Sequence, residues 1–263
     1  MRVVIKKDYE ELSRWAADYV VYRINKHRPS PKRLFVLGLP SGSTPLGMFK
    51  HLAQYYKEGK VSFENVVFFG MGEYIGIGAG DEHGFQYYLW DKFLKYINIK
   101  KEHVYFLDGL TKDYAKECSA YEANIKKYGG VNLFIGGVGV DGHIAFNEPY
   151  SSLCSRTRAK MLTPSTLKAN SRFFDNDVSK VPPLVLTIGI STMMEAEEVM
   201  IMASGTEKAD ALKNAIEGGI THAWPISILQ QHPHGIIACD DAAAVKLESE
   251  TVNYFKEIDK NKF

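Results

Sequence analysis

Asp141, His143 and Glu148 stand within eight positions of one another in the stretch GGVGVDGHIAFNEP. A carboxylate beside a histidine can fix the imidazole tautomer and raise its basicity, which makes a proton-transfer unit near neutral pH. A lone histidine is more often a satisfied structural group. A D-x-H-x4-E cluster directly after glycines is not the usual core pattern, and the residues favour chemistry.

The glycines in the same stretch, Gly137, Gly139 and Gly142, also satisfy G-x-G-x-x-G. A dinucleotide fingerprint must open a helix and be followed by an acidic residue about 20 positions on. Here Pro149 breaks any helix, and Arg156, Arg158 and Lys160 lie ahead where a carboxylate is needed. The context argues against NAD.

Two other loops could hold an anion. After LFVLGL the chain reads PSGSTPLGMF, a turn of small residues in which Thr44 is placed as an N-cap and Pro45 as the first helical residue. Free amides and the positive end of a helix dipole bind phosphate without a cationic side chain, and Gly42 permits close approach. An ordinary capped strand-to-helix turn has the same appearance. In SGTEKADAL, after VMIMA, Lys208 falls in the first turn of the next helix. It opposes the dipole there at a cost of a few tenths of a kcal/mol. That is a weak sign of another role beside the commoner reading of a solvated lysine.

These groups need a frame. Continuous apolar runs mark buried strands at LFVLGL (Leu34–Leu39), VVFF (Val66–Phe69), VYFLD (Val104–Asp108), LFIGGV (Leu133–Val138), LVLTIGI (Leu184–Ile190), VMIMA (Val199–Ala203) and GIIAC (Gly235–Cys239). Helical faces lie between them: Leu12, Trp15, Ala16, Tyr19 and Val20; then Phe85, Tyr88, Leu89, Phe93 and Tyr96; then Ala115, Cys118, Tyr121 and Ile125. The alternation predicts an α/β fold: a doubly wound, largely parallel sheet with helices on both faces, in a single domain over residues 1–263. The polar stretch Ser151–Pro183 has no strong period and reads as a lid or binding loop, or as a surface excursion.

The totals fit this frame. The chain has 263 residues, 45% hydrophobic and 24% charged, with a formal net charge of +1. That balance argues against nucleic-acid binding, which normally shows a basic excess. Cys118, Cys154 and Cys239 are odd in number and far apart, without metal-ligand spacing. They read as reduced thiols, and no metal site is expected. The N-terminus turns polar after three apolar residues, and nothing approaches the ~18 apolar residues of a membrane span. A soluble cytoplasmic protein is the expectation.

At GGVGVDGHIAFNEP the chain resembles the glucosamine-6-phosphate deaminase (isomerase) family, and the likeness covers essentially its whole length. LGLPSGSTPLGMF resembles the family's phosphate loop, SSLCSRTRAK and NSRFFDNDVSKVP its lid, and VNYFKEI its C-terminal helix. The resemblance implies a Rossmann-like core. It also implies reversible conversion of glucosamine 6-phosphate and water to fructose 6-phosphate and ammonia, without organic cofactor or metal. In those terms His143 opens the sugar ring with Asp141 and Glu148. Ser41, Gly42, Ser43, Thr44, Arg172 and Lys208 hold the substrate phosphate. Allosteric members bind N-acetylglucosamine 6-phosphate between subunits of a hexamer, and the matching positions are Ser151, Arg158, Lys160 and Tyr254.

One motif departs from the pattern. Where the family reads roughly F-N-M-D-E-Y-x-G, this chain reads FGMGEYIG, with Gly70 for the asparagine and Gly72 for the aspartate. That aspartate is the family's general base, which moves the C2 proton. Nearby, DEHGF (Asp81–Phe85) replaces His-Pro-Glu-Ser-Tyr, and Trp224-Pro225-Ile226 replaces Trp-Thr-Ile. Neighbours on an extended chain point to opposite faces, so Glu73 is not expected to substitute. Loss of such a base typically costs about 10²–10⁴-fold. The favoured expectation is a weakened deaminase. The alternatives are a silent sugar-phosphate-binding protein and a divergent hexose-phosphate isomerase or lactonase.

Overall fold

A computed structural model describes residues 1–258 of the chain. The first half contains β1 (Arg2–Lys6), α1 (Tyr9–His27), β2 (Phe35–Leu39), α2 (Leu46–Lys57), β3 (Val66–Gly70), β4 (Gly72–Tyr74), α3 (Phe85–Lys92), β5 (Val104–Tyr105) and α4 (Tyr114–Lys127). The second contains β6 (Leu133–Gly137), β7 (Arg158–Met161), α5 (Pro164–Asn170), β8 (Leu184–Thr187), α6 (Ile190–Met194), β9 (Val199–Ala203), α7 (Ala209–Ile216), β10 (Gly235–Asp240) and α8 (Ser249–Ile258).

Seven strands form one parallel sheet in the order β1-β10-β9-β6-β2-β3-β5. The apolar runs are continuous because both faces are covered. Val67 and Phe69 of β3 enter one core while Val66 and Phe68 enter the other. In β9, Val199 and Ile201 likewise oppose Met200 and Met202. Each fully buried aliphatic or aromatic side chain of this kind contributes about 1.5–3 kcal/mol. Leu12, Ala16 and Val20 of α1 pack on one side, Cys118, Tyr121 and Ile125 of α4 on the other. Among the described residues no helix is long and apolar enough to cross a membrane.

Several local expectations change. Leu184–Thr187 lies outside the main sheet, in a three-stranded antiparallel one ordered β4-β8-β7. The stretch 151–183 is more ordered than its composition suggests. It holds β7 and α5, and its Leu162, Phe174 and Val181 share a small core with Tyr74, Ile77 and Val185. The strand at Val104 ends after two residues, where Phe106 packs against Gly70. Helix α2 begins at Leu46, with Pro45 in the cap position and no side-chain cap from Thr44. The Tyr9 hydroxyl takes that work by accepting the Gly47 amide at 2.9 Å. Lys208 closes a short 3-10 turn just before α7 and is not inside the helix.

The order of strands decides where a ligand can sit. From β2 the chain steps outward through β3 and β5, then returns to β6 on the other side of β2 and proceeds through β9 to β10. The winding direction therefore reverses between β2 and β6. In open parallel sheets the crevice at the carboxyl ends beside such a reversal is the ligand site. Residues 40–45 follow β2, and residues 138–143 follow β6.

Candidate active site

The loop after β2 is held by two tyrosines from other helices. Tyr9 donates to the Thr44 carbonyl at 3.0 Å, and Tyr88 of α3 donates to the Gly42 carbonyl. Gly42 adopts φ 106°, a left-handed conformation that glycine reaches without strain. With its carbonyls engaged, the loop leaves the amides of Gly42, Ser43 and Thr44 without an acceptor among the described residues. Burial is the main cause that pushes the Tyr88 phenol up, and Arg172 opposes it. The phenol stays protonated and keeps donating.

Arg172 acts electrostatically on Tyr88, and Lys208 lies within electrostatic reach of Arg172. Burial chiefly holds the Lys208 ammonium below the ordinary lysine value; Arg172 adds repulsion, while Glu207 and Asp141 favour the charged form. Lys208 makes no ion pair among the described residues, and the Arg172 guanidinium lies over the Phe173 ring, at 4.7 Å. A half-buried lysine and an arginine within electrostatic reach of one another have the charge to suit a dianion.

The strand end at β6 brings an aspartate and a histidine together. The chain turns tightly, with the Gly139 amide donating to the His143 carbonyl at 2.9 Å and the Gly142 amide to the Gly139 carbonyl at 3.0 Å. A Cβ at position 139 would overlap the His143 ring, so this glycine makes room for the imidazole. His143 Nδ1 lies 2.7 Å from Asp141 Oδ1, and the His143 amide donates to the same oxygen at 3.2 Å. Burial raises the Asp141 pKa, but the hydrogen bonds and charge of His143 outweigh it and leave the carboxyl below its ordinary value. An ionised Asp141 holds the proton on Nδ1, so Nε2 is the nitrogen left to exchange protons.

The end of β3 is arranged differently. A Cβ at Gly70 would lie 2.6 Å from the Phe106 ring, and one at Gly72 would lie 2.8 Å from the Leu186 carbonyl oxygen. Both positions are packed for glycine. Glu73 is buried, 2% exposed, and accepts the amides of Tyr74 at 2.9 Å, Phe85 at 3.0 Å and Gln86 at 2.9 Å. It thereby binds the first turn of α3. Burial raises its pKa despite those three amides. With its oxygens committed, Glu73 is a structural cap.

Residues 7–237 match the family model described as glucosamine-6-phosphate isomerases/6-phosphogluconolactonase. The chain belongs to that family. It is 54% identical over 260 residues to a glucosamine-6-phosphate deaminase of Phocaeicola vulgatus, covering 99% of each chain. A Drosophila melanogaster protein of the same name is 51% identical over 258 residues, which cover 98% of this chain and 94% of that one. Among solved structures, one described as a monomeric glucosamine-6-phosphate deaminase aligns with a TM-score of 0.89 at 32% identity, covering 94% of this chain and 100% of that one. A 6-phosphogluconolactonase from Trypanosoma cruzi shares the fold, with a TM-score of 0.73 at 19% identity over 94% of this chain and 96% of its own.

For this member of the glucosamine-6-phosphate isomerase/6-phosphogluconolactonase family, the remaining sequence-derived positions divide. Glu148 is buried and turned toward the 151–183 stretch, accepting the Thr163 amide at 3.0 Å and the Thr163 hydroxyl at 3.0 Å. The partner of His143 is Asp141 alone among the described residues. Arg158 turns inward, donating to Asn147 Oδ1 at 2.9 Å, and burial holds its guanidinium below the ordinary value. Ser151 is buried with its hydroxyl unpartnered among the described residues, and Lys160 lies on β7. Tyr254, 60% exposed on α8, has no described contact with these three. Sequence reasoning missed the roles of Tyr9 and Tyr88, whose hydroxyls act on a loop 35 and 46 residues away. The phenol at the end of an apolar helix face is the one signal that could have pointed to Tyr88.

Proposed function

We propose that this protein converts glucosamine 6-phosphate and water to fructose 6-phosphate and ammonia, slowly, because residue 72 offers no base. What supports the reading is the pairing of Asp141 with His143 after β6, next to the unpaired Gly42–Thr44 amides after β2 at the sheet reversal, with Lys208 within electrostatic reach of Asp141 and Arg172. The relatives named for this deaminase, at about half identity over nearly the full chain, support it.

The steps follow from the groups present. Ser41, the loop amides of Gly42–Thr44, Lys208 and Arg172 take the phosphate and orient the sugar. His143 Nε2 moves the proton between the ring oxygen and the C1 hydroxyl as the ring opens. Asp141 fixes the tautomer and stabilises the imidazolium. Glu148 acts through the lid, to which it is bonded in this arrangement. Transfer of the C2 proton then lacks its side chain, which lowers the rate while leaving binding and ring opening in place. Ammonia release from glucosamine 6-phosphate, measured beside Gly72→Asp, tests the reading. Family-level turnover in the unaltered chain would overturn the claim of weakening.

One observation favours a second reading, a sugar-phosphate-binding protein without turnover. The space at 70 and 72 is filled by Phe106 and closed by the Leu186 carbonyl, so nothing is held open for a replacement base. Thermal stabilisation by the sugar phosphate with no product at high enzyme concentration would support it. Saturable ammonia release would exclude it.

Ser151, Arg158, Lys160 and Tyr254 form the proposed effector set for N-acetylglucosamine 6-phosphate. The resemblance puts such a set between the subunits of a hexamer, so the proposed site draws on a second copy. A monodisperse monomer that still responds to the effector would overturn this arrangement.

A further inference from the structure

The segment before α3 contains a second carboxylate–histidine pair, Asp81 and His83, with the same spacing as Asp141 and His143. His83 Nδ1 lies 2.9 Å from Asp81 Oδ1, and the His83 amide donates to that oxygen at 3.0 Å. These bonds, the amide first, hold the Asp81 carboxyl below its ordinary value. The ring that they orient stacks flat on Phe174, with centroids 4.7 Å apart and planes 18° from parallel. Phe174 is 4% exposed, and its edge meets Tyr74 at 5.6 Å and 85°. It therefore sits in an aromatic slot between the turn at 81–84 and β4.

A second tie fastens the same piece of lid. Asn170 donates to the Tyr74 hydroxyl at 2.9 Å. Arg172 lies between Asn170 and Phe174, exposed, on a 3-10 turn that the Phe174, Asn176 and Asp177 amides close behind it. A long cationic side chain on a lid would otherwise sample many positions and lose binding energy to that freedom. Anchors on both sides restrict where the guanidinium can go.

We propose that His83 is a positioning residue for the lid arginine: by stacking on Phe174 it holds Arg172 over the anion site shared with Lys208. The proposal rests on the phosphate reading of that site. His83 touches no reacting atom in this scheme. It raises the population of the lid arrangement that binds, and loss of that population raises the apparent dissociation constant in proportion.

The test is calorimetric titration of glucosamine 6-phosphate into the full-length protein and its variants His83→Ala, His83→Phe, Arg172→Ala and the double variant His83→Ala/Arg172→Ala. Arg172→Ala weakens binding by about 10- to 100-fold, the worth of a charge-assisted contact. His83→Ala weakens it by about two- to tenfold, the worth of an aromatic pair, and His83→Phe restores it because the stack survives without the imidazole. In the Arg172→Ala background the His83→Ala change adds nothing, which a general structural defect would not reproduce. Unchanged binding in Arg172→Ala overturns the phosphate reading and the proposal with it. Loss in Arg172→Ala with wild-type binding in His83→Ala overturns the positioning role alone, as does full additivity in the double variant. Should His83→Ala lower the melting temperature, His83→Phe decides: binding as weak as in His83→Ala overturns the stack.

Discussion

Two strand ends of this sheet are rich in glycine, and they use it in opposite ways. After β6, Gly139 lacks a side chain so that the His143 ring can lie where a Cβ would be. After β3, Gly70 and Gly72 are covered by the Phe106 ring and the Leu186 carbonyl, and no reactive group enters the space. Their carboxylates differ as well. Asp141 is drawn below its ordinary pKa by a histidine, whereas Glu73 is pushed above it by burial. Glycine at a strand end thus marks either room made for a neighbouring side chain or a place that its neighbours have closed. Only the three-dimensional neighbours tell these apart.

The comparison breaks most sharply at His143. His143→Ala should reduce ammonia release by about 10²–10⁴-fold, the range for a positioned acid–base group. If the variant matches the unaltered chain, the β6 end is no more reactive than the β3 end. Gly72→Asp probes the other side. Turnover should rise by about 10²-fold, at the low end of that range, because the Leu186 carbonyl must move to admit the Cβ. The same displacement should lower stability by about 1–3 kcal/mol, read by urea denaturation. A variant that loses stability without gaining rate would point to the binding-only reading.

Gly139→Ala tests the claim that glycine seats the imidazole. Displacing the ring should cost about 10- to 100-fold in ammonia release, with phosphate affinity unchanged. An equal loss of phosphate binding would mean that the whole crevice had shifted, and the contrast between the strand ends would lose its meaning.

The main sheet was legible because its strands are covered on both faces, which leaves continuous runs such as VMIMA. Strands β4 and β7, GEY and RAKM, are short, partly polar members of the small antiparallel sheet, and composition hides them. Strand β1 is an edge strand with charged ends, and its pairing to β10 comes from the far end of the chain. At the site, the loops and the D-x-H spacing are local and were readable. The carbonyl ties from Tyr9 and Tyr88, the Phe106 ring beside Gly70 and the Phe174 slot join residues distant in sequence, and only packing reveals them.

The smallest effect separates the two carboxylates by pH. Glu73 has a folded pKa above its unfolded value, near 4.3. The folded state therefore holds more protons, and the contribution is fully present below the unfolded pKa and lost as pH rises through the folded one. Asp141 has a folded pKa below its unfolded value, near 3.9, so its contribution is present above that value and lost as pH falls through the folded pKa. The windows do not overlap. The Glu73 contribution, read by urea denaturation as the stability of the unaltered chain minus that of Glu73→Gln, should decline with rising pH above about 4.3, with a slope of at most one proton, about 1.4 kcal/mol per pH unit. Glu73→Gln keeps an oxygen for the α3 amides but cannot titrate, so it should remove that slope. Asp141→Asn should leave it intact and flatten the curve only at lower pH. A Glu73→Gln variant that retained the slope would show that burial at the β3 end is not its source.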